Sequence, residues 1–228
     1  MKLSEKKVGK LGIKTILFDM DGTLVDTEPS GARAMQECFK EWNLTLDASD
    51  GAYITGRTWD SAFQFLFKKY SLPIDASIAK EKVLEKYREI LAQQLPIVPG
   101  SVPAVQALAT RYSLGLVSGS CRKEIFWILS QLKIKEHFQI ILGAEDYPKS
   151  KPQPDGYLKA IDFFKTPPSS CLVFEDSHAG IRSARTAGTW VVAVSSTNHF
   201  QQDLSAAHLC IPDLSCVNPE WIENLSFD

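Results

Sequence analysis

The chain has 228 residues, 44% of them hydrophobic and 23% charged, which is enough to bury a sizeable core and to hold one domain with a smaller second unit. A formal net charge of −2 gives no general attraction to nucleic acid or anionic membranes. No stretch reaches the roughly 20 apolar residues of a membrane span, so neither nucleic acid nor membrane is an expected partner. The Lys-rich segment 1–14 lacks the apolar stretch of a secretory signal. Cys38, Cys121, Cys171, Cys210 and Cys216 are odd in number and form no CxxC pair, which suits a reducing compartment better than a disulfide framework. A cytoplasmic monomer is expected.

Taken in chain order, Thr15-Ile-Leu-Phe-Asp19 is a short apolar run stopped by acids and Gly22, the pattern of a buried strand. From about Gly31 to Leu95 the sequence offers three helical patterns, Ala32–Trp42, Thr58–Tyr70 and Ala76–Leu95, and no convincing strand. Pro29 and Gly31 stand at one exit of this stretch and Pro96, Pro99 and Gly100 at the other, as a pair of hinge linkers would. Four further apolar runs follow, Leu114–Val117, Ile140–Leu142, Cys171–Phe174 and Trp190–Val194. Ile125, Ile128, Leu129 and Leu132 recur at helical spacing. A second helix is expected over 179–187, with Ser177 as N-cap and Gly188 as its stop. Strands alternating with helices imply an α/β fold, a parallel sheet covered by helices. The expected division is a core of residues 1–30 and 96–228 with an inserted helical unit over 31–95.

The residues with chemical potential end or follow these strands. Asp19 and Asp21, two residues apart in Asp19-Met-Asp21-Gly22, can point into one crevice from a buried strand. Their mutual repulsion raises a proton affinity unless a cation relieves it, and a hard divalent ion such as Mg²⁺ is suited to that. An isolated pair of this kind is as readily a simple turn. Ser118, Gly119 and Ser120 end the second strand with hydroxyls and amides that suit a phosphate, although Ser-Gly is also a common turn. Lys151 precedes Pro152 and Pro154, which are expected to hold the backbone extended and aim the ammonium at a phosphoryl oxygen; a solvated surface lysine is the bland alternative. Glu175 and Asp176 follow the run Cys171–Phe174 directly and are costly to bury unless paired or metal-bound. Parallel α/β sheets bind ligands beyond the carboxyl ends of their strands, so all four segments converge on one crevice.

In this order and spacing DMDGTL, SGS, KPQPD and FEDSHAGIRSARTAG resemble the four signature segments of the haloacid dehalogenase superfamily. The likeness spans about residues 14 to 215 and is nearest the phosphatase and β-phosphoglucomutase branch. It implies a Rossmann-like core and an all-helical cap that closes over the site. It also implies that Asp19 takes the phosphoryl group, that Asp21 is the general acid/base, and that Ser118, the Gly119 backbone and Lys151 hold the non-bridging oxygens. Mg²⁺ would be bound by Asp19, the Asp21 carbonyl and Asp176, with Glu175 in or near its coordination sphere. Gly56 and Arg57, in Thr55-Gly56-Arg57-Thr58, resemble the cap loop that reads the rest of the substrate, and Glu28 belongs to a phrase found in sugar-phosphate phosphatases. The expected activity is hydrolysis of a small phosphorylated metabolite. Dehalogenation is disfavoured because Asp21 and Asp176 are both present. A phosphomutase is the enzymatic alternative, and a catalytically silent binding protein the alternative of a different class. His178, next to the acidic pair, is expected to be a loop residue without a role, Phe63, Phe65 and Phe67 to be helix packing, and Cys121 to be inert.

Overall fold

The computed structural model describes residues 11–47, 50 and 59–227, with the backbone alone for 60 and 61. Six strands, β1 (Thr15–Phe18), β2 (Ser113–Val117), β3 (Ile140–Leu142), β4 (Cys171–Glu175), β5 (Trp190–Val194) and β6 (Leu209–Ile211), form one sheet in the order β3-β2-β1-β4-β5-β6. Every pairing is parallel. β1 is wholly buried, as an apolar run covered on both faces must be. Its alternate side chains feed two cores. Ile16 and Phe18 join Leu116, Phe174, Val192 and Ile128 on one face, whereas Leu17 joins Val117, Val173, Tyr157 and Ile181 on the other. The expected α/β sheet sandwiched by helices is what the chain adopts.

The described helices are α1 (Glu28–Glu41), α2 (Trp59–Lys69), α3 (Ala76–Gln93), α4 (Ser101–Leu108), α5 (Arg122–Gln131), α6 (Asp155–Phe164), α7 (His178–Thr186) and α8 (Pro219–Glu223). α1 to α3 stand where the helical insertion is expected. Trp59 stacks on Phe63 and Phe63 on Phe67, and Phe63, Leu66, Met35, Phe39 and Val83 are buried together. The phenylalanines are packing residues, as read from the sequence. α1 starts earlier than expected, so Pro29 and Gly31 lie inside its first turn and not in a linker. Proline fits that turn because its missing N–H has no helical partner to lose. Residues 24–26 and 96–98 run side by side instead. Val25 bridges Ile97 in antiparallel fashion, Asp26 N donates to Pro96 O at 2.7 Å, and Val98 N donates to Leu24 O at 3.0 Å.

α7 begins and ends as expected: Ser177 Oγ accepts from Gly180 N at 3.0 Å, and Gly188 follows the helix at φ +83°. β6, α4, α6 and α8 have no counterpart among the sequence patterns. The five cysteines are free thiols, and among the described residues no helix is long and apolar enough to cross a membrane.

Candidate active site

β1 lies between β2 and β4, the point at which successive strands diverge to opposite sides of the sheet. Parallel α/β sheets open a crevice there. Phe18 is in register with both Leu116 and Phe174, so the next residue, Asp19, stands level with Glu175 and one residue short of Ser118. Asp19 is held in place by its N–H, which donates to Phe174 O at 3.0 Å. The turn after it needs Gly22: the residue sits at φ +80°, and a Cβ there would fall 2.0 Å from Asp176 Oδ2. Thr197 Oγ1 donates to Gly22 O at 2.6 Å and Thr23 Oγ1 to Asp176 Oδ1 at 3.3 Å.

The acids and the lysine form one buried cluster. Lys151 Nζ donates to Asp19 Oδ1, and to Glu175 Oε1 at 2.5 Å. The prolines after Lys151 do not extend the chain as expected. The segment turns, with Gln153 N donating to Ser150 O at 3.0 Å, because the Lys151–Pro152 peptide is cis and a cis proline in the third position closes a tight turn. The lysine nevertheless reaches the acids. Burial would push its ammonium down, but the charges of Asp19 and Glu175 prevail and hold it well above the usual lysine range. Burial pushes the Asp19 carboxyl well up, against Lys151 and aided by Glu175 and Asp21. Asp176 is likewise raised by burial, then by the charges of Glu175, Asp19 and Glu28.

Carboxylate oxygens of Asp19, Glu175 and Asp176 lie within 4.8 Å of one another. Three buried carboxylates against one ammonium leave an excess of negative charge in low dielectric, and an all-oxygen donor set is what Mg²⁺ takes. The residues present therefore fit the ion. Glu175 differs from the other two. Its Oε1 accepts from Lys151 at 2.5 Å and Tyr157 at 2.9 Å, and its Oε2 accepts from Asp176 N, Ser177 N and Ser177 Oγ at 3.1–3.2 Å. A Cβ at Gly180 would lie 1.7 Å from Glu175 Oε1. Because that carboxylate is tied by five donors, it cannot swing away. Gly180→Ala is expected to destabilise the fold by about 3 kcal/mol and to depress turnover through Lys151. A melting curve unchanged by the substitution would contradict this packing.

Asp21 is held apart from that cluster. Thr27 Oγ1 donates to its Oδ1 at 2.7 Å, and Ser120 and Ser118 hydroxyls donate to its Oδ2 at 2.7 and 3.1 Å. Ser118 Oγ also accepts from Ser120 N at 3.0 Å, and Tyr147 OH donates to Ser118 O at 2.7 Å. A side chain built at Gly119 would meet nothing within 4 Å, so this loop faces open space. Thr27, the N-cap of α1, makes no side-chain cap bond; its hydroxyl serves Asp21 instead. Thr27, Ser120, Tyr147 and Tyr157 were not among the residues singled out in the sequence. Among those that were, Asp19, Asp21, Ser118, Gly119, Lys151, Glu175 and Asp176 are brought to one region, and Glu28 opens α1 directly after Thr27. Gly56 and Arg57 lie outside the described residues. His178 turns away from the acids, its Nδ1 meeting Asp203 O at 2.8 Å, and burial pushes the Cys121 thiol up, in keeping with an inert residue.

The family model of haloacid dehalogenase-like hydrolases matches residues 16–194. The chain belongs to this family. Protein CbbY of Rhodobacter capsulatus is 34% identical over 225 residues, covering 93% of this chain and 99% of the relative. Fructose-1-phosphate phosphatase YqaB of Escherichia coli (strain K12) is 30% identical, covering 78% of this chain and 95% of the relative. CbbY from Rhodobacter sphaeroides in complex with phosphate has the same fold, with a TM-score of 0.81 at 20% identity over 93% of this chain and all of that one. The chain is thus an enzyme, a phosphoric monoester hydrolase of the haloacid dehalogenase type.

Proposed function

We propose that this chain is a Mg²⁺-dependent phosphatase that hydrolyses a small phosphorylated metabolite, a sugar phosphate in particular, through a phosphorylated Asp19. The observation that carries this reading is the pairing of Asp19 with Lys151 at the mouth of β1, within 4.8 Å of the Asp176 and Glu175 oxygens, while Asp21 is held separately by three hydroxyls. Asp19 attacks phosphorus, and the bond to the leaving oxygen breaks as Asp21 protonates that oxygen. Asp21, now a carboxylate, takes a proton from the water that attacks the aspartyl-phosphate; inorganic phosphate leaves and Asp19 is regenerated. Lys151, the Ser118 hydroxyl and the Gly119 amide offset the charge on the non-bridging oxygens. Asp19, the Asp21 carbonyl and Asp176 would hold Mg²⁺. When bound, the ion supplies charge neutralisation between the anionic nucleophile and the phosphate dianion. Glu175, with both oxygens occupied by donors, acts by fixing Lys151.

Residues 31–95 are proposed to form the cap, hinged at the paired segments 24–26 and 96–98, with Gly56, Arg57 and Glu28 as candidate contacts to the rest of the substrate. A cytoplasmic site of action suits the five free thiols.

Hydrolysis is preferred over phosphomutase chemistry at Gly31. In the β-phosphoglucomutases that the sequence resembles, a histidine in this position helps delay Asp21 from activating water. Here a glycine supplies no hydrogen bond, and even a Cβ would press on Trp59 at 3.3 Å. With hexose monophosphates, release of inorganic phosphate is expected to exceed isomer formation, with no bisphosphate activator required. Product analysis by NMR distinguishes the two, and faster isomer interconversion than phosphate release would replace this reading with a mutase.

A further inference from the structure

The loop that joins β5 to β6 reaches the catalytic turn from outside the crevice. His199 Nε2 stands 2.8 Å from Asp26 Oδ2 and 3.0 Å from Asp26 Oδ1. A carboxylate only accepts, so Nε2 carries the proton and donates, whether the imidazole is neutral or charged. Two residues earlier Thr197, which is buried, donates from Oγ1 to Gly22 O at 2.6 Å. One loop thus grips the segment between Asp21 and Thr27 at both ends, at Gly22 and at Asp26.

The loop is itself firmly tied to the core. Ser195 N and Ser196 N donate to Ile211 O and Pro212 O at 2.9 Å. The Asn198 side chain exchanges bonds of 2.8 and 2.9 Å with the Gln202 backbone, and Gln202 Oε1 accepts from His178 N, at the head of α7, at 3.1 Å. The backbone bonds of Asp26 N and Val98 N, by contrast, join the two hinge segments to each other. The contact of His199 with Asp26 therefore ties the hinge to the core.

Such a pair adds little to global stability. The His199 and Asp26 side chains are 37% and 24% exposed, and ion pairs open to water contribute weakly. Its value lies in position. Asp26 directly precedes Thr27, whose hydroxyl donates to Asp21 Oδ1 at 2.7 Å, and α1 starts at the next residue, Glu28. A shift of Asp26 as α1 turned would draw the Thr27 hydroxyl away from Asp21.

We infer that His199 is a positioning residue: by fixing Asp26 to the core, it keeps Thr27 on Asp21 while the helical insertion moves. The inference rests on the phosphatase reading and the hinge proposed above, and it adds what aligns the acid/base from outside the crevice. Asp21 gives a proton to the leaving oxygen in the first step and takes one from water in the second. Loosening it costs most where proton transfer matters most. That is hydrolysis of the aspartyl-phosphate, and not phosphoryl transfer from an aryl ester, whose leaving oxygen departs without a proton.

The test is rapid-quench kinetics with para-nitrophenyl phosphate and Mg²⁺, together with melting curves, on wild type, His199→Ala, His199→Gln and Asp26→Ala. His199→Ala is expected to melt within a few degrees of wild type. It should release the first equivalent of para-nitrophenolate at a rate within about 2-fold of wild type and then turn over about 10-fold more slowly, since a small misplacement remote from the chemistry is enough for that. Phosphorylated protein should accumulate in the slow phase. His199→Gln keeps an N–H donor near the position of Nε2 and should restore most of the turnover. Asp26→Ala should behave as His199→Ala does, and the double variant should lose no more than either single one. If His199→Ala folds poorly, Asp26→Ala decides by the same split between the first equivalent and turnover. A loss that falls equally on both phases, no loss, no recovery in His199→Gln, or additive losses in the double variant would overturn the role of His199 and leave the phosphatase reading intact. A wild type inert toward every phosphate ester with Mg²⁺ present would overturn both.

Discussion

Asp19→Asn is expected to reduce turnover of any phosphate ester by about ten-thousand-fold or more, because an amide has no charged lone pair with which to attack phosphorus. The fold should survive. Asp19 is buried and raised by its surroundings, so neutralising it removes a repulsion from Glu175 and Asp21, and Lys151 keeps its partner Glu175 at 2.5 Å. Melting within a few degrees of wild type together with lost activity is the signature sought. The neighbouring variant Asp21→Asn gives the contrast. It retains the nucleophile, so an ester with a good leaving group should still phosphorylate Asp19 in a single turnover, with slow release of phosphate afterwards. Acid-quench labelling of the protein separates the two variants: no label in Asp19→Asn, accumulated label in Asp21→Asn. Near-normal turnover in Asp19→Asn would remove the covalent mechanism.

How far the sequence alone reaches depends on where each signal is encoded. β1 to β5 are legible because each is a continuous apolar run closed by turn residues. β6 is not: it has three residues, its central Cys210 is exposed, and only pairing with β5 makes it a strand. The site acids are legible because they stand at strand ends, where parallel topology must bring them together. Tyr157, 18 residues before Glu175, is an ordinary helix residue in one dimension, and its bond to that carboxylate is made by tertiary packing. Thr27 lies ahead of the helix expected from Ala32, and only the fold reveals that its hydroxyl donates to Asp21 Oδ1. Glu124 follows the same logic. It is adjacent to Ile125 in a pattern that marks the apolar face, and nothing in that periodicity says that the acid beside it is buried as well. The turn at Lys151 illustrates a subtler limit, since the sequence does not say which isomer the Lys151–Pro152 peptide takes, and the cis form turns the chain where the trans form would extend it.

Withdrawal of divalent ion is expected to silence the wild type, with activity restored by added Mg²⁺. Activity alone does not locate the ion, so Asp176 supplies a second readout. In the metal-free protein Asp176 faces Asp19 and Glu175, all three buried, with a hydroxyl, Thr23 Oγ1, at 3.3 Å as its side-chain donor. Asp176→Asn removes one charge from that repulsive group, so the metal-free variant should melt at or above the wild-type temperature. Its response to Mg²⁺ should be the opposite. An ion that binds only the folded state stabilises by about 2.7 kcal/mol at a hundred times its Kd, which in a chain of this size raises Tm by about 5–10 °C. Wild type should display that rise and Asp176→Asn little of it, with kcat/KM lower by about a thousand-fold and half-activation shifted to at least about ten-fold higher Mg²⁺. A variant that is more stable without metal, less responsive to it and nearly inactive is a combination that simple unfolding cannot produce. Full activity in excess chelator, or equal Mg²⁺-dependent melting shifts in the two proteins, would place the ion elsewhere or dispense with it.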